Sequence, residues 1–143
     1  MKIRDILSCG KPTVSFEVFP PKREAPLEPV KKAVTELAVE KPAFMSVTYG
    51  AAGGSSSVNT SAVASYVQNA CGVTALAHLT CVMATREGVA AEAAKMSAAG
   101  IENILALRGD IPATVDYPSP EHFHHAIELV EFLRKEYPQF CLG

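Results

Sequence analysis

Four kinds of chemically active group lie along this chain, each at the end of a short apolar run. They are a carboxylate, a hydroxyl, an imidazole and a guanidinium–carboxylate couple. They belong to Glu17, Thr48, His78 and the pair Arg108 and Asp110. A carboxyl group can donate or accept a proton in catalysis, and an Arg–Asp couple can bind a polar ligand through charge-assisted hydrogen bonds. Successive groups are about 30 residues apart, which is the length of one strand–helix unit.

The first of these groups lies in a segment with the alternation of a strand. Over residues 14–18, Ser15 and Glu17 point to one side and three apolar residues point to the other. Pro20 and Pro21 end the strand, because neither has an N–H for a ladder of hydrogen bonds. The pattern also allows a simpler interpretation, in which Glu17 is a solvated residue on an edge strand.

The other groups need the same kind of scaffold, in which strands alternate with helices. In a parallel αβ barrel the carboxyl ends of the strands converge on one mouth, where active sites are built. The repeat therefore predicts an α/β fold of parallel (βα) units of the TIM-barrel type. Strands are predicted over residues 13–19, 44–49, 75–80, 103–110 and 140–142, and helices over residues 2–8, 27–39, 59–70, 86–99 and 119–137.

Local signals support several of the helix boundaries. Thr85 is a good N-cap for the helix over 86–99, and Gly100 stands where a left-handed C-cap belongs. Ser119, Pro120 and Glu121 provide a cap, a proline at the first helical position and an early acid, so the last helix is predicted to begin there. Its buried stripe is predicted to consist of Phe123, Ile127, Val130 and Leu133.

Three of the candidate groups have a structural as well as a functional interpretation. A lone His such as His78 is usually a packed core residue. His78 and Thr80 are two residues apart on one predicted strand, however, so both should face the lumen of the barrel. Arg108 and Asp110 form either an ordinary ion pair or a ligand-binding couple on one face of a strand. The glycine- and serine-rich segment 50–57 is either a phosphate-binding loop or a plain flexible loop, and it matches no established nucleotide-binding motif.

The composition of the 143-residue chain excludes some classes of function. A net charge of −2, with 48% hydrophobic and 20% charged residues, gives no reason to expect nucleic acid or a membrane as a partner. The first seven residues are too charged for a signal peptide. The four cysteines are scattered, which is typical of reduced thiols in a cytoplasmic protein. The histidines 122, 124 and 125 lack zinc-site spacing, so they are interpreted as a solvated helix end and no metal is expected.

Four segments resemble the motifs of the flavin-dependent methylenetetrahydrofolate reductase family of bacterial type, in that family's order and spacing. They are SFEVFPPK at 15–22, SVTYGA at 46–51, HLTC at 78–81 and LRGD at 107–110. The resemblance implies a (βα)8 barrel that holds FAD and reduces 5,10-methylenetetrahydrofolate to 5-methyltetrahydrofolate with NADH or NADPH. This reaction feeds methionine synthesis. The segment 50–57 is richer in Gly and Ser than the family's pattern.

By position in these motifs, the resemblance implies that Glu17 is the general acid. It would protonate the leaving nitrogen when the five-membered ring of the substrate opens to an iminium. Phe16, Phe19 and the flavin are expected to wall this carboxyl and so to favour its protonated form. Asp110 resembles the family's carboxylate beside the flavin and the pterin, where it would make the reduced flavin a stronger hydride donor and pair with the pterin's amino edge.

The resemblance also implies the binding residues. His78, Arg108 and Gly109 match positions that contact the flavin, while Thr48 and Ala51 match positions that meet the dinucleotide. The flavin itself carries the hydride, and the protein positions it.

The family's barrel needs about twice this length, so residues 1–143 are expected to form a single domain, the N-terminal half of the barrel. This half would contain about four βα units and the start of strand five. Two unpaired sheet edges and an open lumen face would then need a cover, from a homo-oligomer or a second chain. Two alternatives are a non-catalytic half-barrel that acts as an assembly subunit, and a flavin-free αβ-barrel enzyme such as a lyase using Glu17, His78 and Arg108.

Overall fold

Short strands alternate with helices throughout the described chain. The computed structural model describes residues 1–21, 25–49, 57–111 and 121–143, with only the backbone at 57 and 58. The strands are β1 (Ser15–Val18), β2 (Phe44–Val47), β3 (Ala75–Thr80), β4 (Asn103–Leu107) and β5 (Cys141–Leu142). The helices are α1 (Ile3–Leu7), α2 (Glu28–Ala38), α3 (Ser57–Ser65, continued by a π-helical turn at Tyr66–Ala70), α4 (Arg86–Ala98) and α5 (Ala126–Glu136).

The five strands form one sheet in chain order, from β1 to β5. All four neighbouring pairs are parallel. Sequential order differs from the 3-2-1-4-5-6 order of doubly wound dinucleotide-binding sheets and is the order found in parallel αβ barrels. The prediction of a parallel α/β fold of the TIM type is therefore confirmed.

The two faces of the sheet differ in burial. The face covered by helices is dry, because side chains of alternate residues pack there against the helices. The opposite face, which holds Glu17 and His78, also carries apolar side chains that are only partly buried. The dry face includes Met45, Val47, Ala75, Ala77, Leu79 and Ile104, and the partly exposed face includes Phe44, Leu76, Leu105 and Leu107.

Helix α1 covers the end of the sheet where the strands begin. The fully buried side chain of Asn103, the first residue of β4, accepts a hydrogen bond from the Ile3 amide at 2.8 Å. Its Nδ2 donates to the carbonyls of Met1 at 3.0 Å and Ala75 at 3.1 Å. The amino-terminal group lies 2.6 Å from a carboxylate oxygen of Glu102. We call this set of contacts around Asn103 the amino-terminal clasp.

The predicted boundaries of α4 are confirmed. The Thr85 hydroxyl accepts a hydrogen bond from the Gly88 amide at 3.1 Å, as an N-cap does. Gly100 has φ +75°, the left-handed conformation that ends a helix.

The last helix does not include Glu121 as predicted, since α5 begins at Ala126. Ser119 and Pro120 lie outside the described residues. Residues 121–125 instead cross the start of α4, where His122 forms an antiparallel bridge with Thr85. The Phe123 ring is fully buried beneath the Arg86 guanidinium, 4.2 Å from it. The histidines 122, 124 and 125 therefore precede the helix and do not lie in its first turn.

This shift changes which side chains of α5 face the core. Ile127 is 60% exposed, against the prediction, while Leu129 and Leu133 are fully buried. Phe123 is buried ahead of the helix, and the local propensity signals did not decide where the helix starts. None of the helices in the described residues is long and apolar enough to cross a membrane.

Candidate active site

Glu17, Ser46 and His78 come together because their strands are adjacent and in register. Glu17 lies opposite Ser46 in the pairing of β1 with β2, and Ser46 lies opposite Leu76, two residues before His78. The Ser46 hydroxyl donates to Glu17 Oε2 at 3.3 Å, and His78 Nε2 lies 3.7 Å from the same oxygen. The structure thus brings the predicted acid and the predicted imidazole into one cluster, and it adds a serine to them.

The His78 ring is held in its neutral form by burial. The residue is 9% exposed, and the loss of hydration lowers its pKa below the ordinary value of 6.5. The Glu17 carboxylate opposes this effect but is the smaller influence. At neutral pH the imidazole can therefore donate one hydrogen bond and accept another.

The Glu17 carboxyl is open to solvent on one side. Its side chain is half-exposed, so a ligand can reach it. The expectation that Phe16 walls it is wrong. Phe16 follows the alternation of β1 and packs against the core on the other face, and Phe19 is 70% exposed.

A cavity lies beside this cluster, at the carboxyl ends of β3 and β4. Its lining combines one aromatic ring, one aliphatic side chain, a buried hydroxyl, a glycine and two charges of opposite sign. These residues are Tyr49, Leu107, Thr80, Gly109, Arg108 and Asp110. Since His78 and Thr80 are two residues apart on one face of β3, they connect the cavity with Glu17.

The turn at Gly109 shapes the floor of the cavity. Pairing of β3 with β4 continues past the strands, with the Cys81 amide donating to the Leu107 carbonyl at 3.1 Å and the Val82 amide to the Arg108 carbonyl at 2.7 Å. Gly109 then adopts φ +85°, and a Cβ at this position would lie 2.5 Å from Val82 Cγ1. Only glycine fits this turn without displacing Val82.

Arg108 and Asp110 are exposed and lie beyond the end of β4, not on a strand as predicted. The Arg108 Nε donates to the carbonyl of Gly109 at 3.1 Å. Within the described residues no ion pair joins Arg108 to Asp110. Both charges therefore remain available to a ligand at the mouth of the cavity.

Thr48 lies just beyond the end of β2, at the same edge of the sheet. Its amide donates to the Val18 carbonyl at 3.0 Å, and its carbonyl accepts from the Thr60 hydroxyl at 2.9 Å. Ala51 and most of the 50–57 loop lie outside the described residues. No group of three metal-ligating side chains was found in the parts of the chain that the structure describes.

Two polar residues of the site had no assigned role in the sequence. Ser46 was visible only as part of a motif, and Thr80 only as a residue on the lumen face. Their importance depends on strand register, which places Ser46 against Glu17 and Thr80 beside Gly109. Alternation along one strand does not show such contacts.

Comparison with known proteins agrees with this architecture. The family model described as methylenetetrahydrofolate reductase matches residues 2–143. Methylenetetrahydrofolate reductase 2 of Schizosaccharomyces pombe is 37% identical over 152 aligned residues, which cover 100% of this chain and 23% of the relative. Methylenetetrahydrofolate reductase (NADH) 1 of Arabidopsis thaliana is 36% identical, over 97% of this chain and 24% of the relative.

A bacterial relative shows the same level of similarity. The 5,10-methylenetetrahydrofolate reductase of Pectobacterium carotovorum is 36% identical over 126 residues, which cover 88% of this chain and 41% of the relative. The chain thus spans between about a quarter and two-fifths of the length of these relatives. The match over nearly every residue shows that the chain belongs to the methylenetetrahydrofolate reductase family.

Proposed function

We propose that the protein with this sequence reduces 5,10-methylenetetrahydrofolate to 5-methyltetrahydrofolate, with NADH or NADPH as the electron donor and FAD as the cofactor. The observation that carries the proposal is the position of Glu17. It is a half-exposed carboxyl, bracketed by Ser46 and His78, beside a cavity that ends in Arg108 and Asp110. The relatives that share this region are named for the reduction of methylenetetrahydrofolate.

The residues at the cavity fit a flat ring system. Tyr49 and Leu107 offer apolar contact, and the backbone of Gly109 lines the same cavity. His78, Arg108, Gly109 and Asp110 would hold the isoalloxazine of FAD, and Thr48 and Ala51 would meet the dinucleotide. When bound, FAD supplies a carrier that takes up a hydride from NAD(P)H and passes it to the folate.

Glu17 supplies the proton that this reduction needs. Opening of the five-membered ring breaks a C–N bond, whose electron pair stays on nitrogen, and the Glu17 carboxyl donates the proton that this nitrogen gains. Both contacts that the structure gives to the carboxyl go to Oε2. Asp110 lies exposed at the mouth, where its carboxylate can accept hydrogen bonds from the amino edge of the pterin.

The substitution Glu17→Gln tests the acid role. The amide cannot donate a proton as a carboxylic acid does, so we expect folate reduction to fall by about 100-fold or more. Oxidation of NAD(P)H with a quinone acceptor should persist, because that half-reaction needs no proton from Glu17. Both rates are measured by absorbance of the nicotinamide.

Glu102→Gln is the matched control, since Glu102 lies at the opposite end of the sheet beside the amino terminus. It should leave both rates unchanged. Full folate reduction by Glu17→Gln would remove the acid role. A wild-type protein that neither binds flavin nor oxidises NAD(P)H would contradict the function as a whole.

The same proposal includes a cytoplasmic location, a role in one-carbon metabolism that feeds methionine synthesis, and assembly with a further copy or a second chain. Support for assembly comes from the sheet face that carries Phe44, Leu76, Leu105 and Leu107, which is only partly buried. Size-exclusion chromatography and flavin absorbance test this part together. A colourless oligomer would favour the alternative of a non-catalytic assembly subunit.

A further inference from the structure

Thr80 carries a buried hydroxyl that no described residue engages. The residue is 4% exposed, and its Oγ1 has no hydrogen-bond partner among the described residues. Other hydroxyls near the site are engaged, since Ser46 donates to Glu17 and Thr60 donates to the carbonyl of Thr48. Buried polar atoms are nearly always paired, so an unpaired one in a cavity wall points to a missing partner.

The surroundings of Thr80 indicate what kind of partner is missing. The residue lines the cavity with Tyr49, Arg108 and Asp110, at the carboxyl end of β3. On its other side lies Gly109, where even a Cβ would come within 3.4 Å of the Thr80 Cβ. The hydroxyl is therefore an uncharged polar group among the apolar and charged residues that line the cavity.

We propose that the Thr80 hydroxyl binds the edge of a planar heteroaromatic ring in this cavity, through a hydrogen bond with a ring carbonyl oxygen or ring nitrogen. A hydroxyl can serve as donor or acceptor, so it suits either atom. The inference rests on the proposed function, which supplies two rings of this chemistry, the isoalloxazine of FAD and the pterin of the folate.

Substitution of Thr80 by valine separates a binding role from a structural one. Valine has nearly the shape of threonine and lacks the hydroxyl, so the ligand-free Thr80→Val protein should melt at the same temperature as wild type or higher. Its dissociation constant for the contacted ring should rise about tenfold, as expected for one lost hydrogen bond. Thr80→Ser keeps the hydroxyl and should bind like wild type.

Thr60→Val is the matched control for stability, because the Thr60 hydroxyl is fully buried and has a partner. It should lower the melting temperature of the ligand-free protein. Binding is measured with FAD by fluorescence quenching, and with 5-methyltetrahydrofolate by calorimetry. Weaker binding of FAD alone assigns the contact to the isoalloxazine, and weaker binding of the folate alone assigns it to the pterin.

Two results would overturn the inference and leave the proposed function intact. In the first, Thr80→Val destabilises the ligand-free protein as much as Thr60→Val does, which would mean that the hydroxyl has a partner within the fold. In the second, wild type binds both ligands and Thr80→Val binds both within twofold of wild type. If wild type binds neither ligand, the proposed function and the inference fall together.

Discussion

Two opposing influences act on the pKa of His78 at the centre of the site. Burial removes water from the imidazole and lowers its pKa, while the Glu17 carboxylate 3.7 Å away raises it by a smaller amount. A neutral ring beside the acid costs less desolvation energy than a charged one would. The residue therefore combines the two roles that the sequence left open, a packed core histidine and a member of the site.

This balance predicts how the protein responds to acid. Because the folded-state pKa of His78 lies below its unfolded value of 6.5, the unfolded chain binds more protons in the interval between them. The stability from this group is complete above pH 6.5 and is lost as the pH falls through that interval. An NMR titration of the ring proton should give a pKa below 6.5, and a lower one in Glu17→Gln, where the raising influence is removed.

The variant His78→Gln identifies the resonance and serves as the control. It should also weaken the loss of stability on acidification, as measured by urea denaturation on both sides of pH 6.5. A titration midpoint above 6.5 in wild type would show that Glu17 outweighs burial.

At the scale of the residue, the sequence predicted which residue types belong to the site and which of them share a face of a strand. Glu17 and His78 were predicted to share one opening, and they are in contact. The enclosing role of Phe16 was wrong because adjacent residues of a strand face opposite sides, a rule that the alternation of β1 already implies. The contact of Ser46 with Glu17 could not be predicted, since it depends on the register between two strands.

At the scale of an element, the turn after β4 depends on one glycine. Gly109→Ala would force a side chain into the left-handed region and press its Cβ against Val82. We expect a loss of stability of about 2–4 kcal/mol, the sum of the conformational and the steric cost. Urea denaturation measures it.

Gly72→Ala is the matched control, because Gly72 also has a positive φ of +68° but a Cβ added there would meet nothing within 4 Å. It should cost only the conformational part, about 1 kcal/mol. In a Val82→Ala background, Gly109→Ala should approach this smaller value. An equal loss at Gly72 and Gly109 would show that contact with Val82 contributes nothing.

The elements themselves were predictable where the signals are local. The cap at Thr85 and the left-handed Gly100 follow from side-chain and backbone preferences that act within one turn. The start of α5 was not predictable, because the bridge between His122 and Thr85 and the burial of Phe123 under Arg86 join residues about 37 positions apart. Tertiary packing overrides local propensity there.

At the scale of the whole molecule, the amino-terminal clasp holds helix α1 against the start of β4. Asn103→Ala would remove all three hydrogen bonds of the side chain and leave the Ile3 amide without its partner. We expect a loss of about 1–3 kcal/mol in the free energy of unfolding. Chemical denaturation monitored by circular dichroism checks this value.

Glu102→Gln is the control for the clasp, since the ion pair of Glu102 with the amino terminus is exposed. The lowered pKa of Glu102 arises mainly from its hydrogen bond with the terminal amine, and water screens it. The change should cost well under 1 kcal/mol. An Asn103→Ala protein as stable as wild type would mean that the hydrogen bonds of the Asn103 side chain contribute nothing to stability.

The repeat of about 30 residues was sufficient to predict the parallel sheet, since each unit pairs with the one before it. The contacts that the clasp makes with residues 1 and 3 were not predictable, because they join positions 100 to 102 residues apart and no pattern in the sequence links them.

The separation of these partners along the chain constrains the order in which contacts can form during translation. Once β2 and β3 have been synthesised, each finds its neighbour already made, so the sheet can grow in the direction of translation. Residues 1 and 3 are made before Asn103, and their contacts with its side chain can form only after it has emerged. The contacts of these two residues with Asn103 can therefore form only after the pairing of β1 with β2 has become possible.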